Sequence, residues 1–208
     1  MTHVYINTIR FLWVIGAALV LLKDKLELHL SINKIGNTSL DFIASYTTHI
    51  GDGLFLLFTS IVFLFIRLKT ALILFLSFIL SSGIVQILKH TIFVDMKRPY
   101  FYFENDSSFR VMEDFTYFTE NSFPSGHATS CFVLFTILAF HFQRKYMLQF
   151  FFVSAAVFVA FTRVYLSQHF MQDIIAGSII GVLISQTLWI YINPRYSQLD
   201  RPLINRQE

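Results

Sequence analysis

The chain has 208 residues, 55% of them hydrophobic, with only 14% charged. Its mean hydropathy is +0.59, too apolar for an ordinary soluble domain, and a soluble helical bundle would need far more charge on its helix faces. The net charge of +3 comes with no basic stripe interleaved with aromatics, so nucleic acid is not an expected partner.

The pattern predicts an all-α protein, a polytopic membrane helical bundle. A bilayer core of roughly 30 Å needs about 20 apolar residues per helix. Six stretches fit with some tolerance: about 5–22, 53–68, 70–88, 128–142, 146–165 and 173–192. Several are short, which implies tilt or local thinning. The first has Arg10 before an apolar run, as a signal peptide does. No small-residue cleavage site follows at Leu21-Leu22-Lys23-Asp24, so a retained helix is expected. The single cysteine, Cys131, falls inside a predicted span, which excludes an intrachain disulfide and suggests a packing residue.

Loop charges give the orientation. With six spans, one side carries Arg10, Arg67, Lys69, Arg144, Lys145, Arg195, Arg201 and Arg206, against only Asp200 and Glu208. The other side holds the longer 23–52 and 89–127 segments and eleven of the thirteen acids. Positive charge in short loops marks the cytoplasmic side. The polar, aromatic stretch 100–123 reads equally as a solvated connector or as a substrate-gating lid.

Three clusters on the acidic side carry chemistry. The first is Lys89 with Arg98-Pro99, two cations that are either phosphate ligands or ordinary juxtamembrane charge, as Lys97 between them can be. The second is Pro124-Ser125-Gly126-His127, immediately before a span. Ser125 and Gly126 at a helix start leave N–H groups for an anion, the helix dipole favours it, and His127 could protonate a leaving alkoxide. The plain alternative is a helix cap. The third is Arg163, His169 and Asp173. A guanidinium can grip two phosphate oxygens at once, though an arginine here could equally snorkel to the interface. His169 and Asp173, four apart, share a helix face, and a carboxylate that holds one imidazole nitrogen leaves the other free to attack. The competing reading is an Asp-capped helix with an incidental histidine.

Together these clusters resemble the type 2 phosphatidic acid phosphatase superfamily. Its pattern is Lys-x6-Arg-Pro, then Pro-Ser-Gly-His, then Ser-Arg-x5-His-x3-Asp. Here the second motif is complete; the third matches at Arg163, His169 and Asp173 with Thr162 in place of serine; the first departs, because eight residues separate Lys89 from Arg98. The resemblance covers roughly residues 50–190 and includes the six-span layout of the family's membrane branch. It implies that His169 is the nucleophile forming a phosphohistidine, Asp173 its orienting partner and His127 the general acid. It implies that Lys89, Arg98, Ser125, Gly126 and Arg163 cradle the phosphate, and that no metal or other cofactor takes part.

The expected protein is therefore one membrane-embedded phosphatase domain over residues 1–208, with its motif-bearing core at about 50–192 and an extracytoplasmic loop at 89–127. The expected reaction is hydrolysis of a phosphate monoester or diphosphate on a lipid: phosphatidylglycerophosphate, polyprenyl diphosphate, phosphatidic acid or lipid A. The alternatives are a lipid phosphotransferase and a non-catalytic protein that binds or transports lipid phosphates. The expected partners are a phosphorylated lipid and membrane lipids, with the oligomeric state open. The expected location is a bacterial inner (cytoplasmic) membrane, with the site facing the periplasm or exterior.

Overall fold

The structure, a computed structural model, describes residues 3–113 and 115–203. Arg206 and Glu208, used above in the loop-charge argument, lie outside the described residues. In chain order the helices are α1 (His3–Leu22), α2 (Lys25–Asn33), α3 (Thr38–Thr47), α4 (Gly53–Leu64), α5 (Leu68–Ile87), α6 (Pro99–Phe103), α7 (Gly126–His141), α8 (Tyr146–Tyr165) and α9 (Met171–Ile192). A 3₁₀ turn, Thr48–Gly51, joins α3 to α4, and α5 runs on through a π-helical turn, Leu88–Ile92. Among the described residues there is no strand, so the all-helical expectation holds.

The spans differ in detail from the sequence count. Among the described residues four helices are long and apolar enough to cross a bilayer: α1, α5 with its π turn (25 residues), α8 and α9. The segment expected at 53–68 is a 12-residue helix, about 18 Å long at 1.5 Å per residue and too short by itself. It pairs with Thr38–Gly51 across a 55° bend, and the two together make a fifth candidate. The remaining segment, α7, is apolar but has only 16 residues. The number six thus depends on admitting both the bent pair and α7. The chain is an integral membrane protein whichever way these are counted.

α7 tolerates its shortness because it is the hub. Twelve of its sixteen residues are buried, so neighbouring helices rather than lipid surround it. Its tightest neighbour is α9, brought close by Gly177 and Gly181, spaced four apart on one face. A Cβ on Gly177 would lie 2.4 Å from the Ser125 carbonyl oxygen, and one on Gly181 would lie 2.5 Å from that of Thr129. Hydrogen bonds inside the apolar layer fix α1 against this pair. Trp13 Nε1 donates to Ser178 Oγ at 2.8 Å, and the Tyr5 hydroxyl lies 3.2 Å from Thr136 Oγ1. At the end predicted to be cytoplasmic, Lys69 donates to the Asn193 carbonyl and to Asp200, both at 2.8 Å, which ties the C-terminal segment to the start of α5.

Segment 23–52, read from sequence only as a loop, contains α2 and α3. Each starts at a side-chain cap that local chemistry explains. The Asp24 carboxylate accepts from the amides of Leu26 and Glu27, and Asn37 Oδ1 accepts from that of Leu40. These helices hold down the 100–123 segment at Arg110. Asn33 donates to the Arg110 carbonyl at 2.9 Å, and its Oδ1 accepts from the Arg110 amide at 2.7 Å. The Arg110 guanidinium pairs with Asp41, which also accepts from the Tyr165 hydroxyl. Phe103 and Phe109 stack at 5.2 Å and bury His29. That burial pulls the His29 imidazole down to about 4, so it stays neutral.

The close α7–α9 crossing yields a stability prediction. Gly177→Ala forces the two helices apart and is expected to cost about 1–3 kcal/mol. Thermal unfolding in detergent measures it; Gly83→Ala, where an added Cβ meets nothing within 4 Å, serves as the neutral control.

Candidate active site

Four helix ends meet at one pole of the bundle: the C-terminal ends of α5 and α8 and the N-terminal ends of α7 and α9. Each sequence cluster sits on one or two of these ends, and the structure brings all three together.

His169 lies in the short turn between α8 and α9. Ser167 adopts a left-handed backbone there (φ 54°), which reverses the chain. The Arg163 carbonyl then accepts the amides of Gln168 (2.9 Å) and His169 (3.1 Å), so arginine and histidine are fixed relative to one another by backbone alone. The His169 ring is 2% exposed. Burial first, then the charges of Arg98, Arg163 and Lys89, hold its pKa well below the ordinary imidazole value, so the ring is neutral. Its Nδ1 faces Asp173 Oδ2 at 3.4 Å, an electrostatic contact longer than a hydrogen bond.

Asp173, 1% exposed, sits in the first turn of α9. Its Oδ2 accepts from the Ser122 hydroxyl at 2.5 Å and from the Phe170 amide at 2.9 Å. Those two donors hold the carboxylate in place beside the imidazole. Ser125, fully buried, caps α7: its Oγ accepts the Ala128 amide at 3.3 Å, while its own amide donates to the Asp173 carbonyl at 3.0 Å. The starts of α7 and α9 are thereby joined. A Cβ on Gly126 would meet nothing closer than Val85 at 3.9 Å, so that glycine borders open space rather than a packed wall.

The cations come from three directions. Arg163 NH1 donates to Thr48 Oγ1 at 3.0 Å, while its buried Nε has no partner among the described residues. Arg98 is held by the carbonyls of Glu120 (2.7 Å) and Gln168 (3.1 Å) and by Gln168 Oε1 (3.1 Å). Lys89 donates to the Asn121 carbonyl at 2.8 Å and lies within electrostatic reach of Arg98, Asp173 and Arg163. The π turn that carries Lys89 and the tight turn closed from the Met96 amide to the Phe93 carbonyl take up the two extra residues of its motif. Lys97 instead pairs with Glu120 at 2.5 Å, as ordinary loop charge would. Beside Arg98 a cleft of about 300 Å³ is lined by Tyr117 to Asn121.

His127, in the first turn of α7, is partly exposed, and its Nε2 lies 2.6 Å from Asp52 Oδ1. Sequence reasoning missed Asp52, along with Thr48, Ser122 and Gln168. An acid just before an apolar run was the available signal for Asp52. Ser122 and Gln168 act through neighbours distant in the chain, and no local pattern marks them. Among the described residues no three His, Cys, Asp or Glu side chains come together as a metal site.

A site that gathers three cations around a buried neutral imidazole, at the ends of apolar helices, with donors at a helix start, suits a phosphate bearing an apolar anchor. Comparison with known proteins agrees. Residues 70–197 match the family described as the PAP2 superfamily, and the chain belongs to it. Among solved structures, it is similar to LpxE of Aquifex aeolicus, with a TM-score of 0.67 and 26% identity over 80% of this chain and 95% of that one. The transmembrane PAP2-type phosphatidylglycerolphosphate phosphatase of Bacillus subtilis shares the fold, with a TM-score of 0.66 and 22% identity over 91% and 96% of the two chains. A Drosophila melanogaster protein that carries the name of a phosphatidate phosphatase is 30% identical over 87 residues, 37% of this chain. The chain spans only 23% of that relative's length.

Gln168 generates a test of how Arg98 is held. Gln168→Leu removes one of its acceptors, and with it the donation of Gln168 Nε2 to the Thr116 carbonyl at 3.1 Å. The expected outcome is a rise in KM for a phosphorylated lipid of about 10-fold, with kcat reduced less, in steady-state phosphate release.

Proposed function

We propose that this chain is a phosphatase that removes phosphate from a membrane lipid through a phosphohistidine, without a metal ion. The observation that carries the reading is the convergence of Lys89, Arg98 and Arg163 on a buried, neutral His169. Asp173 occupies the Nδ1 side of the ring, so Nε2 is the nitrogen that attacks phosphorus. As the N–P bond forms, the bond to the lipid oxygen breaks, and protonated His127 gives its proton to that oxygen. Water then attacks the phosphohistidine. Neutral His127 takes the water's proton, the N–P bond breaks, and inorganic phosphate leaves with His169 restored.

The remaining residues stabilise charge. Phosphoryl transfer spreads negative charge over the equatorial oxygens, so positioning and cations account for most of the catalysis. Arg163 has its Nε free of partners among the described residues, and Arg98 and Lys89 are anchored by backbone carbonyls that leave further N–H donors. The Ser125 amide is spent on the Asp173 carbonyl, so its hydroxyl proton and the space beside Gly126 are what complete the cradle at the start of α7.

We read residues 1–208 as one membrane-embedded phosphatase domain whose 89–127 segment lies outside the cytoplasm. The Arg and Lys residues at the opposite pole support a cytoplasmic assignment for that end. In a bacterial inner membrane the site then opens to the periplasm. The substrate class is a lipid with a terminal phosphate or diphosphate. Phosphatidic acid, phosphatidylglycerophosphate, polyprenyl diphosphate and lipid A all fit a polar site at a bilayer border. We read the acceptor as water, which can reach the partly exposed His127.

Two outcomes are expected from phosphate release by purified protein in detergent, with EDTA present. His169→Ala abolishes turnover on whichever of these lipids is cleaved; full activity in that variant contradicts the mechanism. Arg163→Lys lowers kcat/KM by about 100-fold although charge is kept, because an ammonium cannot reproduce paired N–H bonds. Wild-type kinetics there mean that Arg163 only borders the site.

A further inference from the structure

The 3₁₀ turn Thr48–Gly51 and the next residue, Asp52, belong to the segment before residue 70, where the family match begins. The turn nevertheless reaches two of the site's side chains. Thr48 Oγ1 accepts from Arg163 NH1 at 3.0 Å, and Asp52 Oδ1 meets His127 Nε2 at 2.6 Å. The turn is itself tightly seated. A Cβ on Gly51 would lie 3.1 Å from the His127 carbonyl oxygen and 3.3 Å from Val159. Backbone contact and side-chain contact therefore bring the same residue, His127, to the same turn.

We propose that Asp52 is a positioning residue for His127: it holds the imidazole by Nε2, favours its protonated form, and leaves Nδ1–H to face the leaving oxygen. The proposal rests on the general-acid reading of His127. Its physical basis is a charge balance. Burial of the ring first, then positive charge on the groups facing His127, which include Arg163, Arg98, His49 and His169, disfavours an imidazolium. Asp52 is the carboxylate in direct contact with the ring. Its other oxygen, Oδ2, pairs with His49 Nδ1 at 2.9 Å, so each carboxylate oxygen has one imidazole partner and the carboxylate cannot swing freely. A carboxylate that orients a histidine, fixes its tautomer and stabilises its cation recurs wherever imidazole must hand over a proton. Thr48 does the corresponding job for Arg163, so one short turn sets both the proton donor and a phosphate ligand.

The signs are definite. His127 must carry its proton when the lipid oxygen leaves, so kcat falls as pH rises through the pKa of His127. Removing the Asp52 charge makes the proton easier to lose, and the alkaline limb moves to lower pH, by about one unit or more for a charge at this range. Asp52→Asn is expected to lower kcat on dioctanoyl phosphatidic acid by about 10- to 100-fold, with KM changed less than about twofold. On p-nitrophenyl phosphate, whose leaving group needs no proton, the loss should be much smaller. Asp52→Glu should recover part of the rate, and it carries the test by itself if the Asn variant does not fold. In a His127→Ala background, Asp52→Asn should change turnover of p-nitrophenyl phosphate little.

An unmoved alkaline limb with wild-type kcat overturns the proposal. So does a loss of equal size in the His127→Ala background, which would mean that Asp52 acts elsewhere. Full lipid turnover by His127→Ala would remove the general-acid reading, and this proposal with it. An impaired His127→Ala beside an unaffected Asp52→Asn removes the proposal alone.

Discussion

Positive charge held out of water at the end of a helix bundle is the constraint on which this structure turns. Lys89 and Arg163 are each only 8% exposed, and Arg98 joins them, against one buried carboxylate among the described residues, Asp173. Burying cations with too few counter-charges is costly. The fold bears that cost through backbone carbonyls. Asn121 accepts from Lys89, and Glu120 and Gln168 accept from Arg98. Burial keeps His169 neutral, the same excess charge adds to that, and the charge makes the pole receptive to an anion. The arrangement that is unfavourable for stability is the one that suits a phosphate.

The rest of the molecule follows from the need to bring four helix ends within reach of each other. Gly177 lets α9 approach the Ser125 carbonyl, and the Ser125 amide in turn binds the Asp173 carbonyl. The cap of α7 and the first turn of α9 thus form one unit, with the helix dipoles of both pointing their positive ends into the site. α7 can be short because most of it is packed against other helices, and its shortness places its N-terminal end inside the pole. Around this unit the N-terminal segment acts as a collar. α2 and α3 fasten the 100–123 segment through Asn33, Asp41 and Arg110, and the turn after α3 reaches inward to His127 and Arg163.

Much of this was legible in the amino-acid sequence, for a physical reason. Apolar runs long enough to cross a bilayer leave a direct trace in composition, so α1, α5, α8 and α9 were found within a few residues. Ionisable groups at the ends of such runs are rare enough to stand out, so Lys89, Arg98, His127, Arg163, His169 and Asp173 could be singled out, while Ser125 and Gly126 came with the motif around His127. What stayed hidden depends on distant partners. α2 and α3 are only nine and ten residues long, and their capping signals at Asp24 and Asn37 look like ordinary loop polarity. The second span does begin at residue 53 as expected, but the 55° bend that pairs it with Thr38–Gly51 cannot be read from hydropathy, so the reach of Thr48 and Asp52 into the site was not foreseen. The spacing of Lys89 looked wrong in one dimension because a π turn and a tight turn absorb the extra residues only in three.

The central claim is that His169 takes the phosphate covalently, and rapid-quench trapping tests it most directly. Protein in detergent is mixed with a lipid labelled with ³²P at its terminal phosphate and stopped with alkali within milliseconds. The account predicts label bound to protein that survives base, is lost in acid as a phosphoramidate should be, maps to the peptide containing His169 and is absent from His169→Ala. Turnover of the lipid with no protein-bound label at any quench time, or with acid-stable label on another residue, would contradict it.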